Sequence, residues 1–181
     1  RFIRHYAKDF AIDPSRIGGL GYSSGAHLVS LLGTLGGEGQ ADSTDPIEQE
    51  SAKLQCIVAG GTATDLTDLS APFLAPSIAS FLGVLTTFSP PQSQEYNTAL
   101  QASPVHHASP GDAPHLLFHS EKDEIIPLAH ARKLADKLRD ADVPVKLLVI
   151  PNGTHMNLHT PDAPDYISDM VAWFNRYLRG E

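Results

Sequence analysis

A single cysteine, Cys56, means that no internal disulfide can staple this chain. It sits inside the apolar run Leu54 to Ala59, where a thiol reads as a buried core group. Basic charge is scarce too: 13 Lys and Arg stand against 21 Asp and Glu, a net charge of -8, with no basic block. Such a surface does not track phosphates, which argues against nucleic acid as a partner. No run of about 18 apolar residues exists, so no membrane-spanning helix is expected. What is present is the composition of one folded domain with a core: 181 residues, 41% hydrophobic and 19% charged.

The chain is organised around Gly21-Tyr22-Ser23-Ser24-Gly25, which separates a short apolar run, Ile17 to Leu20, from a helix-like run, Ala26 to Leu35. Strand, tight turn and helix in that order force the central serine toward positive φ, and small residues two before and two after it avoid a collision of strand and helix. Gly21 and Gly25 fill those places. Such a turn lifts the Ser23 hydroxyl clear of a sheet and leaves the Ser24 amide at a helix N-terminus, where it can face a developing oxyanion. A Gly/Ser turn without chemistry has the same five residues; the flanking strand and helix favour the nucleophile reading.

Along the chain, Phe2, Ile3, Tyr6 and Phe10 recur near helical spacing until Asp13-Pro14, which predicts an opening amphipathic helix. Arg1 lies inside that pattern, so the expectation is that the protein's own N-terminus lies upstream. Glu38 to Ser51 is polar and acidic and reads as an exposed loop. Leu54 to Ala59, His115 to His119 and Val145 to Ile150 are short apolar runs of the kind that form strands covered on both faces. Leu128 to Leu138 and Tyr166 to Tyr177 carry helical stripes. Between Asp65 and Pro114, seven prolines interrupt short apolar pieces, which predicts a long irregular, cap-like insertion at about residues 65–114. Strands separated by helices indicate an α/β domain with a mostly parallel sheet.

In open α/β sheets the site lies beyond the carboxyl ends of the strands, so partners for Ser23 should follow other strands directly. Asp123 follows the His115 run and His155 follows the Val145 run. Asp123 competes with Glu121, Glu124 and, above all, Asp65. It leads because Ile125-Ile126-Pro127 would anchor its loop and open the next helix. His155 with His159 could share a metal only on a helix, which Pro151, Gly153 and Pro161 oppose. His106-His107 lacks an accompanying cysteine or carboxylate cluster. The order Ser23, Asp123, His155 is that of α/β-hydrolases.

These residues resemble an α/β-hydrolase serine esterase, close to the acetyl-esterase and feruloyl-esterase-like branch. Ser23-Ser24-Gly25-Ala26-His27-Leu28 is similar to that family's nucleophile elbow. His119-Ser120-Glu121-Lys122-Asp123-Glu124-Ile125-Ile126-Pro127 is similar to H-G-x-x-D-x-x-V-P, with Ser120 where Gly is usual, and Gly153-Thr154-His155 is similar to its histidine ending. The likeness runs from residue 17 to 178. It implies an α/β-hydrolase fold lacking its N-terminal strands, because the family's first strands and its His-Gly-Gly-like oxyanion loop should lie upstream. Ile17 to Leu20 would then be an exposed edge, and half of the oxyanion hole would be absent from residues 1–181.

The expected activity is hydrolysis of carboxylic esters with short acyl or aryl groups: Ser23 as nucleophile, His155 as base then acid, Asp123 as its orienting carboxylate, and the Ser24 amide as one oxyanion donor. Phe73, Phe81 and Phe88 are the candidate pocket walls. No metal or organic cofactor is implied, and the partner expected is a small-molecule ester. The alternatives are an arylformamidase or a prolyl-oligopeptidase-like peptidase on the same residues, and a non-catalytic hydrolase-like binding protein.

Overall fold

Apolar runs separated by helical stripes call for parallel strands with crossover helices. The computed structural model has that architecture, and it describes residues 1–83 and 93–181. The helix α1 (Phe2–His5) precedes β1 (Gly19–Tyr22), and α2 (Ser24–Leu35) leads to β2 (Ile57–Gly60). Then come α3 (Leu74–Leu82), α4 (Gln94–Gln101) and a 3₁₀ turn, Pro104–His106. The chain continues through β3 (His115–Ser120), α5 (Ala129–Asp140), β4 (Val145–Ile150) and α6 (Tyr166–Phe174), which passes into a π-helical turn, Asn175–Arg179.

The strands lie in the order β1-β2-β3-β4, each parallel to its neighbour. Register aligns Gly19 with Ile57, Ile57 with His115 and His115 with Val145, so the strands start level. Their carboxyl ends therefore release Ser23, Gly61, Glu121 and Pro151 along one rim of the sheet. Because side chains alternate along a strand, Ile57, Ala59 and Leu117 pack on one face with Ala26 of α2 and Leu134, Ala135 and Leu138 of α5. Val58, Leu116 and Phe118 pack on the other with Tyr166, Met170, Trp173 and Phe174 of α6. Both inner strands, β2 and β3, are buried throughout, which is why they read as continuous apolar runs. Cys56 has no exposed surface and burial raises its pKa to about 11, so it stays a thiol.

Three expectations change. The opening helix ends at His5 and not near Phe10: the chain turns over, Ala11 takes φ 52°, and the Ile12 N–H reaches back to the Ala7 carbonyl. Phe2 and Phe10 stay exposed, while Arg1 and Arg4 donate to carbonyls of Glu48, Glu50, Ser51 and Lys53 and so hold the acidic loop. The first strand starts two residues late, at Gly19, because the Ile17 N–H pairs with the Gln55 side chain instead of the ladder. It is an edge among the described strands, and Leu20 is 60% exposed there.

The third change is in the stretch expected to be irregular, which holds two helices. Pro76 is the third residue of α3, inside the first turn, where its missing N–H removes no intrahelical bond. Gly83 in the left-handed region ends that helix, and the Ser93 hydroxyl caps α4 by accepting the Tyr96 N–H. Ala63, Leu66, Leu74, Ile78, Ala99 and Ile126 form a separate cluster beneath these helices, at the rim of the sheet.

Among the buried histidines, burial lowers the pKa of His27, His115, His119 and His130. His115, with no exposed surface, falls from 6.5 to about 4. A depressed folded pKa means that the unfolded chain takes up the proton first as pH falls. Stability is full above 6.5 and is lost toward about 4, with His115 alone contributing a loss of about 3 kcal/mol across that window. Urea titrations at pH 7, 6 and 5 are expected to give a falling unfolding free energy. A constant value over that range would mean that these imidazoles protonate in place at no cost.

Candidate functional site

Ser23 connects β1 directly to α2 and holds φ 54°, ψ −121°, a conformation that a non-glycine residue adopts only under constraint. Its N–H extends the β1–β2 ladder to the Gly60 carbonyl at 2.8 Å, and its own carbonyl accepts the His27 N–H, the first bond of α2. The return of the helix over the strand is so close that a Cβ on Gly21 would lie 2.3 Å from the carbonyl carbon and oxygen of Gly25. Gly25 faces no such limit, since a Cβ there would meet nothing within 4 Å. The steric demand assigned to both glycines thus falls on Gly21. Ser24 is the first residue of α2, so its N–H has no intrahelical acceptor by position.

The Ser23 Oγ lies 3.0 Å from His155 Nε2, and His155 Nδ1 lies 2.8 Å from Asp123 Oδ2. A carboxylate only accepts, so Nδ1 carries the proton and Nε2 is free to accept from the serine hydroxyl. Asp123 is held in turn by the Ile125 and Ile126 N–H groups, which donate to Oδ1 at 3.0 and 2.8 Å. Ile126, 3% exposed, anchors this loop in the core, whereas Pro127 lies ahead of the α5 cap and not within the helix. His119 donates from Nε2 to the Ile126 carbonyl at 2.8 Å, with Asp123 Oδ2 3.4 Å away, and so closes the loop from below.

The rival carboxylates are occupied elsewhere. Glu121 accepts the Asn152 N–H and Glu124 accepts the His155 N–H, which fastens the loop after β3 to the loop after β4. Asp65 binds Lys133, accepts from Thr67 and lies 3.6 Å from His106. Burial opposes ionisation of Asp65, but the Lys133 and Thr67 hydrogen bonds prevail and hold its pKa near about 2. It pins the start of the 65–114 segment to α5. His159 is exposed beside the Tyr166 ring, away from Asp123.

Tyr22 was not singled out from the sequence. Its hydroxyl donates to the His155 carbonyl, and its pKa is pushed up to about 12, first by burial and then by the charges of Asp123 and Glu124. The residue before the elbow therefore positions the histidine loop, a link between positions 133 apart in sequence that no local pattern reveals.

A cavity of about 340 Å³ opens beside Ser23 and Ser24, walled by Leu74, Ile78 and Phe81 of α3 and by Ile125 and Ile126. Of the three phenylalanines expected as walls, Phe81 lines it. Phe73 does not, being 65% exposed just before α3, and Phe88 lies outside the described residues. Leu28, Ala63, Leu66, Ser77 and His27 complete the lining, and His27 is a cavity residue that spacing did not select.

Residues 1–138, with both Ser23 and Asp123, match the BD-FAE family model. The chain belongs to the BD-FAE family. His155 lies beyond the matched stretch, so its place beside Ser23 rests on the geometry. The BD-FAE chain is 32% identical over 91 residues to "Acylamino-acid-releasing enzyme" of Arabidopsis thaliana, covering 49% of this chain and 12% of that protein. It is 25% identical over 158 residues to "Probable carboxylic ester hydrolase LipM" of Mycobacterium tuberculosis, covering 85% of this chain and 35% of that protein. Among solved structures it resembles an acetyl ester-xyloside bifunctional hydrolase from Caldicellulosiruptor lactoaceticus, with TM-score 0.71, 25% identity, and coverage of 98% of this chain and 58% of that one. The fold is of α/β-hydrolase type. The stretch matched by the BD-FAE chain is thus less than two thirds of the length of each of these proteins.

The asymmetry between the two elbow glycines is testable by urea unfolding. Gly21→Ala should cost at least about 1–3 kcal/mol, because the obstructing atoms are backbone. Gly25→Ala, in open space at the start of a helix, should cost nothing or stabilise slightly. Equal losses would contradict the packing described.

Proposed function

We propose that the chain carries the active site of a serine hydrolase acting on carboxylic esters of small molecules, within one α/β-hydrolase domain whose segment at about 65–114 forms a cap over the site. The observation that carries this reading is the unbroken hydrogen-bond line from Ser23 Oγ through His155 to Asp123, 3.0 and 2.8 Å, on the floor of an apolar cavity. His155 Nε2 takes the hydroxyl proton as Oγ attacks the ester carbonyl. The resulting oxyanion faces the Ser24 N–H, where the helix N-terminus adds its partial positive charge. Collapse expels the alcohol, which takes the proton back from Nε2 and leaves an acyl group on Ser23. Water then gives a proton to Nε2, attacks the acyl carbon and releases the acid, and the proton returns to Ser23. Asp123 stays ionised, keeps Nδ1 protonated and stabilises the imidazolium in both halves.

The likeness to an acylamino-acid-releasing enzyme supports a second reading, in which the same groups cleave an acylated amino acid from a peptide. The apolar cavity, with α3 set close over Ser23, favours a small ester. Parallel turnover of p-nitrophenyl acetate and an N-acetylalanine anilide decides between them.

Ser23→Ala should abolish both labelling by a fluorophosphonate and ester turnover. Asp123→Asn should lower turnover by about 10³–10⁴-fold with the fold intact, since the wrong imidazole tautomer is then favoured. Asp65→Asn should act on stability instead; if it cripples turnover in a folded protein while Asp123→Asn is mild, the acid is misassigned. On a p-nitrophenyl ester series, Phe81→Ala should change acyl-length preference and Phe73→Ala should not.

A further inference from the structure

His27 is a buried polar residue of the cavity for which ester hydrolysis as described has no use. It stands one helical turn after Ser23 on α2, so its ring lies on the face of the helix that carries the elbow. It is 5% exposed. Nδ1 lies 2.8 Å from the Ala63 carbonyl oxygen, which can only accept, so Nδ1 carries the proton. Burial lowers the pKa of the ring, which keeps it neutral at pH 7. A neutral ring protonated at Nδ1 presents a bare lone pair at Nε2, and that atom is buried with no hydrogen-bond partner among the described residues.

Buried acceptors are almost always satisfied, and an empty one next to a reactive serine calls for a donor that arrives with the ligand. Leu66, Ile78 and Ile126 in the same lining are aliphatic, and the hydroxyls of Ser23, Ser24 and Ser77, which also line the cavity, make no hydrogen bond to Nε2. The neighbouring ring is Phe81, edge-on to the imidazole with centroids 5.7 Å apart, itself 59% exposed on the last turn of α3. An exposed ring turns rapidly, so Phe81 can swing away from the imidazole.

We propose that His27 is a specificity-determining residue whose Nε2 accepts a hydrogen bond from a hydroxyl on the part of the substrate held in the cavity, with Phe81 turning aside to admit it. The preferred substrates are then esters whose pocket-bound group is apolar apart from one hydroxyl. The proposal rests on the ester-hydrolysis reading of this site, and its test separates the two. A site that holds an unpaired buried acceptor discriminates between a hydroxyl and a methyl of similar size, because only the hydroxyl satisfies it.

Two matched pairs of p-nitrophenyl esters place the hydroxyl near to and far from the carbonyl: 3-hydroxybutyrate against 3-methylbutyrate, and 3-(4-hydroxyphenyl)propionate against 3-(4-methylphenyl)propionate. In at least one pair the hydroxylated ester should have a kcat/KM about tenfold higher, and the ratio should fall toward one in His27→Phe. Fluorophosphonate labelling of Ser23 reports that this variant is folded. A second measurement needs neither turnover nor a His27 variant. In nitrogen-15-labelled Ser23→Ala protein, the His27 Nε2 resonance should move upfield on adding the preferred hydroxylated ester and stay in place with its methyl twin. Ratios near one in the native protein, a ratio that survives in His27→Phe, or an Nε2 signal that ignores every ester each overturn the proposal. An Nε2 signal that responds while no ester is turned over upholds recognition by His27 and overturns the hydrolase reading instead.

Discussion

Ser23 is held in a backbone conformation, φ 54° and ψ −121°, that costs energy for any residue with a side chain, and much of the surrounding structure serves to impose it. The constraint comes from both sides. The β1–β2 ladder takes the Ser23 N–H and fixes where the strand ends, while α2 begins at once and crosses back so closely that Gly21 has no room for a Cβ. The strain is stored where it is useful, since the same turn exposes Oγ and leaves the Ser24 N–H without an intrahelical partner. Both depend on α2 being packed on the sheet through Ala26, Ile57 and Leu117.

The rest of the candidate site follows from strand adjacency. Because β3 and β4 are parallel neighbours in matched register, their carboxyl-end loops emerge side by side and can be fastened along their length. Lys122 donates to the Gly153 carbonyl, Glu121 accepts from Asn152, and Glu124 accepts from His155. Three carboxylates within four residues thus take three different tasks, of which only that of Asp123 reaches the imidazole. Asp65 shows the same sorting at a distance, for it is engaged by Lys133 and Thr67 and the histidine beside it is His106, not His155.

Buried neutral imidazoles recur in this fold, and each trades charge for a fixed tautomer. His115 and His119 each give one N–H to a backbone carbonyl, of Ala113 and of Ile126, while the His130 Nδ1 lies against the Thr64 and Asp65 N–H groups. In the first two the second nitrogen has no hydrogen-bond partner among the described residues, as in His27. What distinguishes His27 is location: its empty nitrogen belongs to a ring that lines a cavity beside a serine, whereas His115 is sealed between α2 and β3.

The local sequence determined the strand, helix and turn identities wherever burial is two-sided, because a parallel strand covered on both faces must be apolar throughout and a crossover helix must carry a stripe. That is why β2, β3, α2 and α5 were legible, whereas β4, expected to be covered on both faces, is only partly buried and was legible from its apolar run alone. It did not determine how far α1 would run, since the aromatic stripe to Phe10 has little to pack on and the chain turns at Ala11. Nor could proline counts reveal α3 and α4, because Pro76 is harmless only by virtue of its place in the first turn. The engagement of Asp65 by Lys133 and Thr67, the clamp from Tyr22 to the His155 carbonyl, the exclusion of Phe73 from the cavity and the unpaired nitrogen of His27 were decided by tertiary structure alone. Each depends on which groups meet across strands and helices far apart in sequence, and spacing along one chain carries no information about a hydrogen bond that closes over 133 residues.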